Sequence, residues 1–213
     1  MRGVDGGAAS GFSLGPMSAV GPTLSAMTRV VYFTATSLNG FIAESTASGD
    51  SLEWLFEAEP APEPELFADF LAPIGAIVMG SSTYRWILEN EEILEHPERW
   101  EQYHGKRPVF VFSTREQPVP EGVDVRVVSG GVGELFAEIE AAAGGRDIWI
   151  SGGGELAGQF YDAGLLTELQ FTFAPVALPA GAPLLPRRIP ASRLSLRSLS
   201  RHGVFAHLVY ELR

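Results

Sequence analysis

The stretch Ile150-Ser151-Gly152-Gly153-Gly154-Glu155-Leu156 ends an apolar run, Asp147 to Ser151, and opens a segment of helical spacing from Glu155 to Ala163. A short apolar run bounded by glycines reads as a buried strand. Three successive residues without Cβ atoms then let the backbone turn tightly and let a pyrophosphate approach main-chain N–H groups, where the N-terminus of a helix adds partial positive charge. A strand-to-helix turn that binds nothing uses glycine in the same way, and the stretch alone leaves both readings open. Gly152, Gly154 and Ala157 satisfy G-x-G-x-x-A. The dinucleotide-binding fold that carries this pattern needs further β-α-β units and an acid after its second strand. Only 61 residues follow Gly152, and they end in antiparallel strand-like runs, so that fold is excluded.

On either side of this turn, apolar strand-like runs alternate with helical ones, which predicts an α/β domain. Arg29 to Thr36 is the first strand, and a helix is expected from Ser51 to Glu57. Pro60, Pro62 and Pro64 interrupt it before a short helix from Glu65 to Leu71. Ala76 to Gly80 is a strand, with a helix from Ser81 carrying Tyr84, Ile87 and Leu88 on one face. Pro108 to Ser113 and Val123 to Val128 are strands, Val132 to Ala143 an amphipathic helix, and Glu168 to Val176 a strand. Arg193 to Ser200 and Val204 to Leu212 form a terminal hairpin across His202-Gly203, with Leu194 and Leu196 alternating against Arg193, Ser195 and Arg197 as in a strand with one wet face. The expectation is about eight strands and four helices, parallel in the middle and antiparallel at the end.

Composition bounds the function. A chain of 213 residues fits one domain and buries roughly 70% of its unfolded surface on folding, enough for a core without staples. The absence of cysteine removes disulfides, thiolate zinc sites and cysteine nucleophiles together. The 26 acids against 15 Lys and Arg leave a net charge of −11, the wrong sign for a phosphate-backbone binder. Between Glu44 and Glu101, 14 acids face only Arg85 and Arg99. No apolar run is long enough to span a membrane, and no signal peptide is evident, so no nucleic-acid or membrane partner and a cytoplasmic location are expected. Residues 1–27, glycine- and serine-rich without period, read as a flexible tail ahead of a domain spanning 28–213.

Two further strand ends carry polar groups suited to anions. Gly80-Ser81-Ser82-Thr83 places three hydroxyls at a helix start, where they cap the helix or bind a phosphate. Ser113-Thr114-Arg115 ends another strand, with a guanidinium able to pair a phosphate bidentately or simply to stay solvated. All of these lie at the C-terminal ends of strands, the edge at which open α/β sheets bind ligands. His96, His104, His202 and His207 have no metal-ligand spacing and are taken as structural, so no metal is expected. No Gly-x-Ser-x-Gly elbow or Walker A sequence occurs.

Thr34-Ala-Thr-Ser-Leu-Asn-Gly-Phe-Ile-Ala43, Leu52-Glu-Trp-Leu55, Val78-Met-Gly-Ser-Ser-Thr-Tyr84, Val111-Phe-Ser-Thr-Arg115 and Ile150 to Leu156, in this order, resemble the dihydrofolate reductase superfamily. More narrowly they resemble the branch related to the reductase domain of the bacterial riboflavin-biosynthesis deaminase-reductase, over about Thr28 to Arg213. The resemblance implies a three-layer fold with a mixed, mostly parallel sheet of about eight strands flanked by helices. It also implies NADPH, rather than NADH, as hydride donor, a small heterocyclic substrate such as a pterin or pyrimidine, and a homodimer. By position it puts Ala35, Thr36 and the loop from Ser37 to Ala43 over the nicotinamide. Gly80, Ser81, Ser82 and Thr83 fall to the phosphates or 2′-phosphate, Ser113, Thr114 and Arg115 to the adenosine end, and Gly152, Gly153, Gly154, Glu155 and Leu156 to the pyrophosphate.

This sequence departs from the family pattern. Asn39 stands where the family usually has Asp, which removes an ionisable group beside the reacting centre, and Ser81 or Ser82 where a basic residue is frequent, leaving Arg115 or Arg85 to distinguish NADPH from NADH. A pterin substrate needs a carboxylate to orient and protonate it, and Glu53 or Asp50 on the first helix is the nearest candidate. The family's Arg-x-Asp and Leu-Thr-Val-Arg patterns for a phosphorylated sugar find no match in Tyr84 to Glu92. The sequence-level reading is an NAD(P)H-dependent reductase acting on a C=N or C=O. A riboflavin-pathway 5-amino-6-(5-phosphoribosylamino)uracil reductase and a non-catalytic NADP-binding module are its alternatives.

Overall fold

The computed structural model describes residues 28–47, 49–62 and 64–213, so the expected tail at 1–27 lies outside the described residues. The chain runs through β1 (Val30–Thr36), β2 (Phe41–Thr46), β3 (Gly49–Ser51), α1 (Glu53–Phe56), α2 (Pro64–Leu71), β4 (Ile74–Gly80), α3 (Ser81–Asn90) and α4 (Glu98–His104). It continues through β5 (Val109–Phe112), β6 (Val125–Val128), α5 (Val132–Ala143), β7 (Asp147–Gly152), α6 (Gly154–Asp162), β8 (Glu168–Phe173), β9 (Gly181–Pro183), β10 (Leu194–His202) and β11 (Phe205–Leu212). Eight strands form one sheet in the order β10-β11-β8-β1-β7-β4-β5-β6. The pairs among β8, β1, β7, β4, β5 and β6 are parallel, and β11 joins β8 antiparallel, as β10 joins β11.

The central strands are continuous apolar runs because both of their faces are covered. Val30, Tyr32, Val78, Phe110, Ile148 and Ile150 point to one side and pack with Ile139 of α5 and Leu156 and Phe160 of α6. Val31, Phe33, Ile77, Met79, Val111 and Trp149 point to the other and meet Phe70 of α2, Tyr84 and Leu88 of α3 and Trp100 of α4. Alternate residues of the same strands thus feed two hydrophobic layers, which gives the expected three-layer architecture. In the second layer His104 stacks on Trp100 with ring centroids 4.1 Å apart. Its Nδ1 is buried without a hydrogen-bond partner, and burial pushes its pKa down to about 4.

Several local expectations are corrected. The first helix is only the single turn α1, and Asp50 lies on β3, not on a helix. The segment read as a loop from Ser37 to Ala43 becomes strand at Phe41, and β2 pairs antiparallel with β3 and β9 in a separate three-stranded sheet. Helix α4 was not anticipated. The expected alternation in β10 holds only at Leu194, which packs against the core; Leu196, with Leu199 beyond it, is exposed on the edge strand, at 52% and 66% respectively.

Candidate functional site

A cleft of about 900 Å³ opens along the C-terminal ends of β1, β7, β4 and β5, with Thr34, the glycine turn after β7, Gly80 and Phe112 on its floor. The small sheet supplies the opposite wall through Ile42, Ala43, Asp50, Ala182 and Pro183. Strand β7 lies between β1 and β4 at the middle of the parallel sheet, so its terminal turn stands at the centre of this edge.

That turn is built by close approach. Gly152 sits at φ +154°, and a β-carbon there would stand 2.8 Å from Thr83 Oγ1. A β-carbon on Gly154 would stand 2.3 Å from the Pro183 carbonyl oxygen and 2.4 Å from that of Leu184. Gly153 is different: it is extended at φ −90°, and the nearest atom to its missing β-carbon is Ile42 Cδ1 at 3.8 Å. Gly152 and Gly154 are therefore demanded by packing, whereas the side-chain position of Gly153 opens into the cleft. The Gly152–Gly153 peptide is cis.

Two helices begin on this cleft. Helix α6 has Gly153 as its N-cap and α3 has Gly80, and neither end carries a side-chain cap hydrogen bond. The first N–H groups of a helix have no partner within it, so both ends present free donors and the positive ends of their dipoles to one space. The two ends are adjacent, with a β-carbon on Gly80 placed 3.8 Å from Gly153 N. Among the described residues the hydroxyls of Ser81, Ser82 and Thr83 form no hydrogen bond, which leaves them free to meet a ligand. Glu155, in the first turn of α6, would repel an anion, but Arg187 bonds both of its carboxylate oxygens at 2.7 and 2.9 Å. These bonds hold the Glu155 carboxyl below the usual carboxylate range, and Arg187 also reaches Asp162 Oδ2 at 2.7 Å. Tyr32 donates to Leu184 O at 2.9 Å, which ties the segment after β9 to β1 of the sheet.

The residues anticipated from the sequence divide into two groups. Gly80, Ser81, Ser82, Thr83, Asp50 and all of Gly152 to Leu156 line the cleft. Ala35, Thr36, Asn39, Glu53 and Ser113 to Arg115 do not. Thr36 is fully buried, and its hydroxyl donates to Phe41 O at 3.1 Å. Asn39 is a staple: its Nδ2 donates to Leu178 O at 2.7 Å, while its Oδ1 accepts from Leu178 N at 3.0 Å and Ser37 Oγ at 2.9 Å. Ser113 Oγ donates to Arg115 O at 2.7 Å and accepts from Arg115 N at 3.1 Å, closing a local turn. Glu53 is exposed at the start of α1. Trp86 and Gln159, which the sequence reading passed over, line the cleft. Trp86 follows Ser82 by four residues on α3, a spacing that marks one helix face. Nothing local to Arg187 signals its pairing with α6. Among the described residues no group of acids and histidines is placed to hold a metal ion, and no helix is long and apolar enough to cross a membrane.

Residues 28–204 match the RibD C-terminal domain family model. The chain belongs to the RibD C-terminal domain family. Two Bacillus subtilis proteins are similar along most of their length: YwjB is 25% identical over 182 residues, covering 85% of this chain and 97% of that protein. YyaP of the same organism is 26% identical over 180 residues, covering 81% and 89%. Among solved structures, a candidate riboflavin biosynthesis protein from Shewanella sp. PV-4 superposes with a TM-score of 0.67 at 25% identity, covering 87% of this chain and 99% of that one. A pyrimidine reductase-like protein from Corynebacterium diphtheriae gives 0.58 at 19% identity, covering 87% and 92%, and shares the fold. RibD C-terminal domains have the dihydrofolate-reductase-like fold, and the mixed eight-stranded sheet described above is that architecture. Membership makes this chain reductase-like.

Proposed function

We propose that this chain is a reductase that uses NADPH in preference to NADH and reduces a C=N or C=O bond of a small pyrimidine- or pterin-like heterocycle. The observation that carries this reading is the meeting of two uncapped helix N-termini, α3 and α6, across a glycine turn on one cleft. The donor set fits a dinucleotide diphosphate, because backbone N–H groups bind anions without a charged side chain and Gly153 leaves space for close approach. When bound, NADPH supplies the hydride. The protein's own part is to orient it: α3 and α6 hold the diphosphate, and Thr34 with Ile42 and Ala43 faces the end of the cleft nearest β1. Asp50, on the wall formed by the small sheet, is the cleft-lining acid on that side and is assigned to orient the substrate and pass it a proton.

A narrower reading, reduction of 5-amino-6-(5-phosphoribosylamino)uracil, is favoured by the structural neighbours. A Thermotoga maritima protein whose description includes that reductase activity superposes with a TM-score of 0.57 at 13% identity; the match covers 87% of this chain and 57% of that one. Titration followed by NADPH fluorescence tests the cofactor, and NADPH oxidation with this uracil and with dihydrofolate as alternative acceptors tests the substrate. No fluorescence change at high micromolar protein defeats the reductase reading. Binding without oxidation of NADPH by any pyrimidine or pterin acceptor supports instead a non-catalytic NADP-binding module.

A further inference from the structure

A glutamate is the wrong residue to leave loose at the start of α6. Glu155 is the second residue of that helix, lines the cleft, and stands beside the N–H groups that a diphosphate would use. A carboxylate in a first turn is drawn to the same positive helix end as a ligand phosphate, so it competes for those donors and repels the anion.

The fold removes this carboxylate from the cleft by a contact on another face of the helix. Glu155, Gly158 and Asp162 follow one another at i, i+3 and i+7, which is one side of α6. Arg187 lies along that side: Nη2 and Nη1 donate to Glu155 Oε1 and Oε2 at 2.7 and 2.9 Å, and Nε donates to Asp162 Oδ2 at 2.7 Å. Gln159, on the cleft side, also bonds Glu155. The guanidinium crosses the helix over Gly158, where a β-carbon would stand 2.9 Å from Arg187 Cζ and 3.0 Å from its Nε. Glycine inside a helix is unfavourable relative to alanine, so Gly158 is explained by the seat it leaves for Arg187. Pro183 and Pro186 line the cleft, and Arg187 itself does not. It therefore acts on the cleft through Glu155. We infer that Arg187 is a positioning residue that holds the Glu155 carboxylate off the N-terminus of α6, and that once released this carboxylate excludes an anionic ligand from the glycine turn. The inference rests on the proposed use of a dinucleotide.

The test titrates inorganic pyrophosphate by calorimetry and NADPH by fluorescence into wild type, Arg187→Gln, Arg187→Gln/Glu155→Gln, Asp162→Asn, Gly158→Ala and Gly158→Ala/Glu155→Gln, with circular dichroism to establish that each is folded. Arg187→Gln is expected to weaken both ligands at least about tenfold, and adding Glu155→Gln to bring them back to within about threefold of wild type. Asp162→Asn breaks the other arm of the clasp and leaves Glu155 held, so it lowers the melting temperature while both affinities stay within about twofold. Gly158→Ala keeps every charge but pushes the guanidinium off its seat. It should weaken both ligands in the same direction, with the same rescue by Glu155→Gln, and it carries the comparison if Arg187→Gln does not fold. Undiminished affinity in folded Arg187→Gln overturns the inference, and so does a loss that Glu155→Gln fails to restore, because the clasp would then serve the fold alone. Either result leaves the cofactor reading intact, whereas wild-type protein that binds neither pyrophosphate nor NADPH overturns both.

Discussion

Gly153 and Gly154 are neighbours in one turn, yet substitutions at them should fail in opposite ways. At Gly154 a methyl group would stand 2.3 and 2.4 Å from two backbone carbonyl oxygens, so either α6 or the segment at Pro183–Leu184 must move. Overpacking of this kind costs about 1–3 kcal/mol, and for a chain of this size each kcal/mol lowers Tm by about 2–4 °C. At Gly153 the backbone is in a region open to any L-residue, and a new β-carbon meets only Ile42 Cδ1 at 3.8 Å. Gly153→Val should therefore fold with a Tm near wild type, while its methyl groups occupy the space through which a phosphate reaches the α6 N-terminus. A hydrogen bond to a charged group is worth about 1.5–3 kcal/mol, so displacing the phosphate from one such bond weakens NADPH about 10- to 150-fold. Thermal melts and NADPH fluorescence titrations on Gly153→Val and Gly154→Ala separate the two effects. A folded Gly153→Val with undiminished NADPH affinity would refute the assignment of this turn to the cofactor.

Asp50→Asn should lower turnover on an identified substrate about 100-fold or more with little change in NADPH affinity, and Glu53→Gln, outside the cleft, should not; equal rates for wild type and Asp50→Asn would leave water as the proton source. Asn39→Asp puts a carboxylate oxygen in place of the Nδ2 that donates to Leu178 O at 2.7 Å, so the denaturation midpoint should fall by an amount equivalent to about 1–3 kcal/mol above pH 5. Below about pH 6.5 the unfolded chain takes up a proton at His104 that the folded chain refuses until about pH 4. Stability should accordingly drop by up to about 1.4 kcal/mol per pH unit as pH falls through that window, and His104→Phe should flatten the profile in urea titrations. The open edge of β10, with Leu196 and Leu199 exposed, is where two copies would pair to give the expected homodimer. Light scattering should report a dimer that Leu199→Lys converts to monomer, and a wild-type monomer at high micromolar concentration would end that idea.

The strands β1, β4, β5 and β7 and the helix α5 were legible because each carries its own signal. The strands are apolar runs that need cover on both faces, and Val132 to Ala143 repeats at helical spacing before a glycine in the left-handed conformation. The glycine turn and Gly80 to Thr83 were legible as the cleft's floor for a related reason: a strand end followed at once by a helix start is a local event, and parallel pairing brings such ends to one edge. The small sheet was not legible. Gly181-Ala182-Pro183 has no β-propensity of its own and is strand only because β2 lies beside it, about 140 residues earlier in the chain. Asp50, on β3 beside β2, lines the cleft wall while Glu53 three residues on does not, and no local reading of two exposed acids tells them apart. The roles of Asn39 and Arg187 were likewise decided by distant partners, Leu178 and Glu155, since a side chain's hydrogen bonds depend on which groups folding brings within about 3 Å. Sequence alone determined the sheet and the edge along which the cleft opens. The tertiary structure decided which residues line that cleft, because only the packed chain sets the distances between segments far apart in sequence.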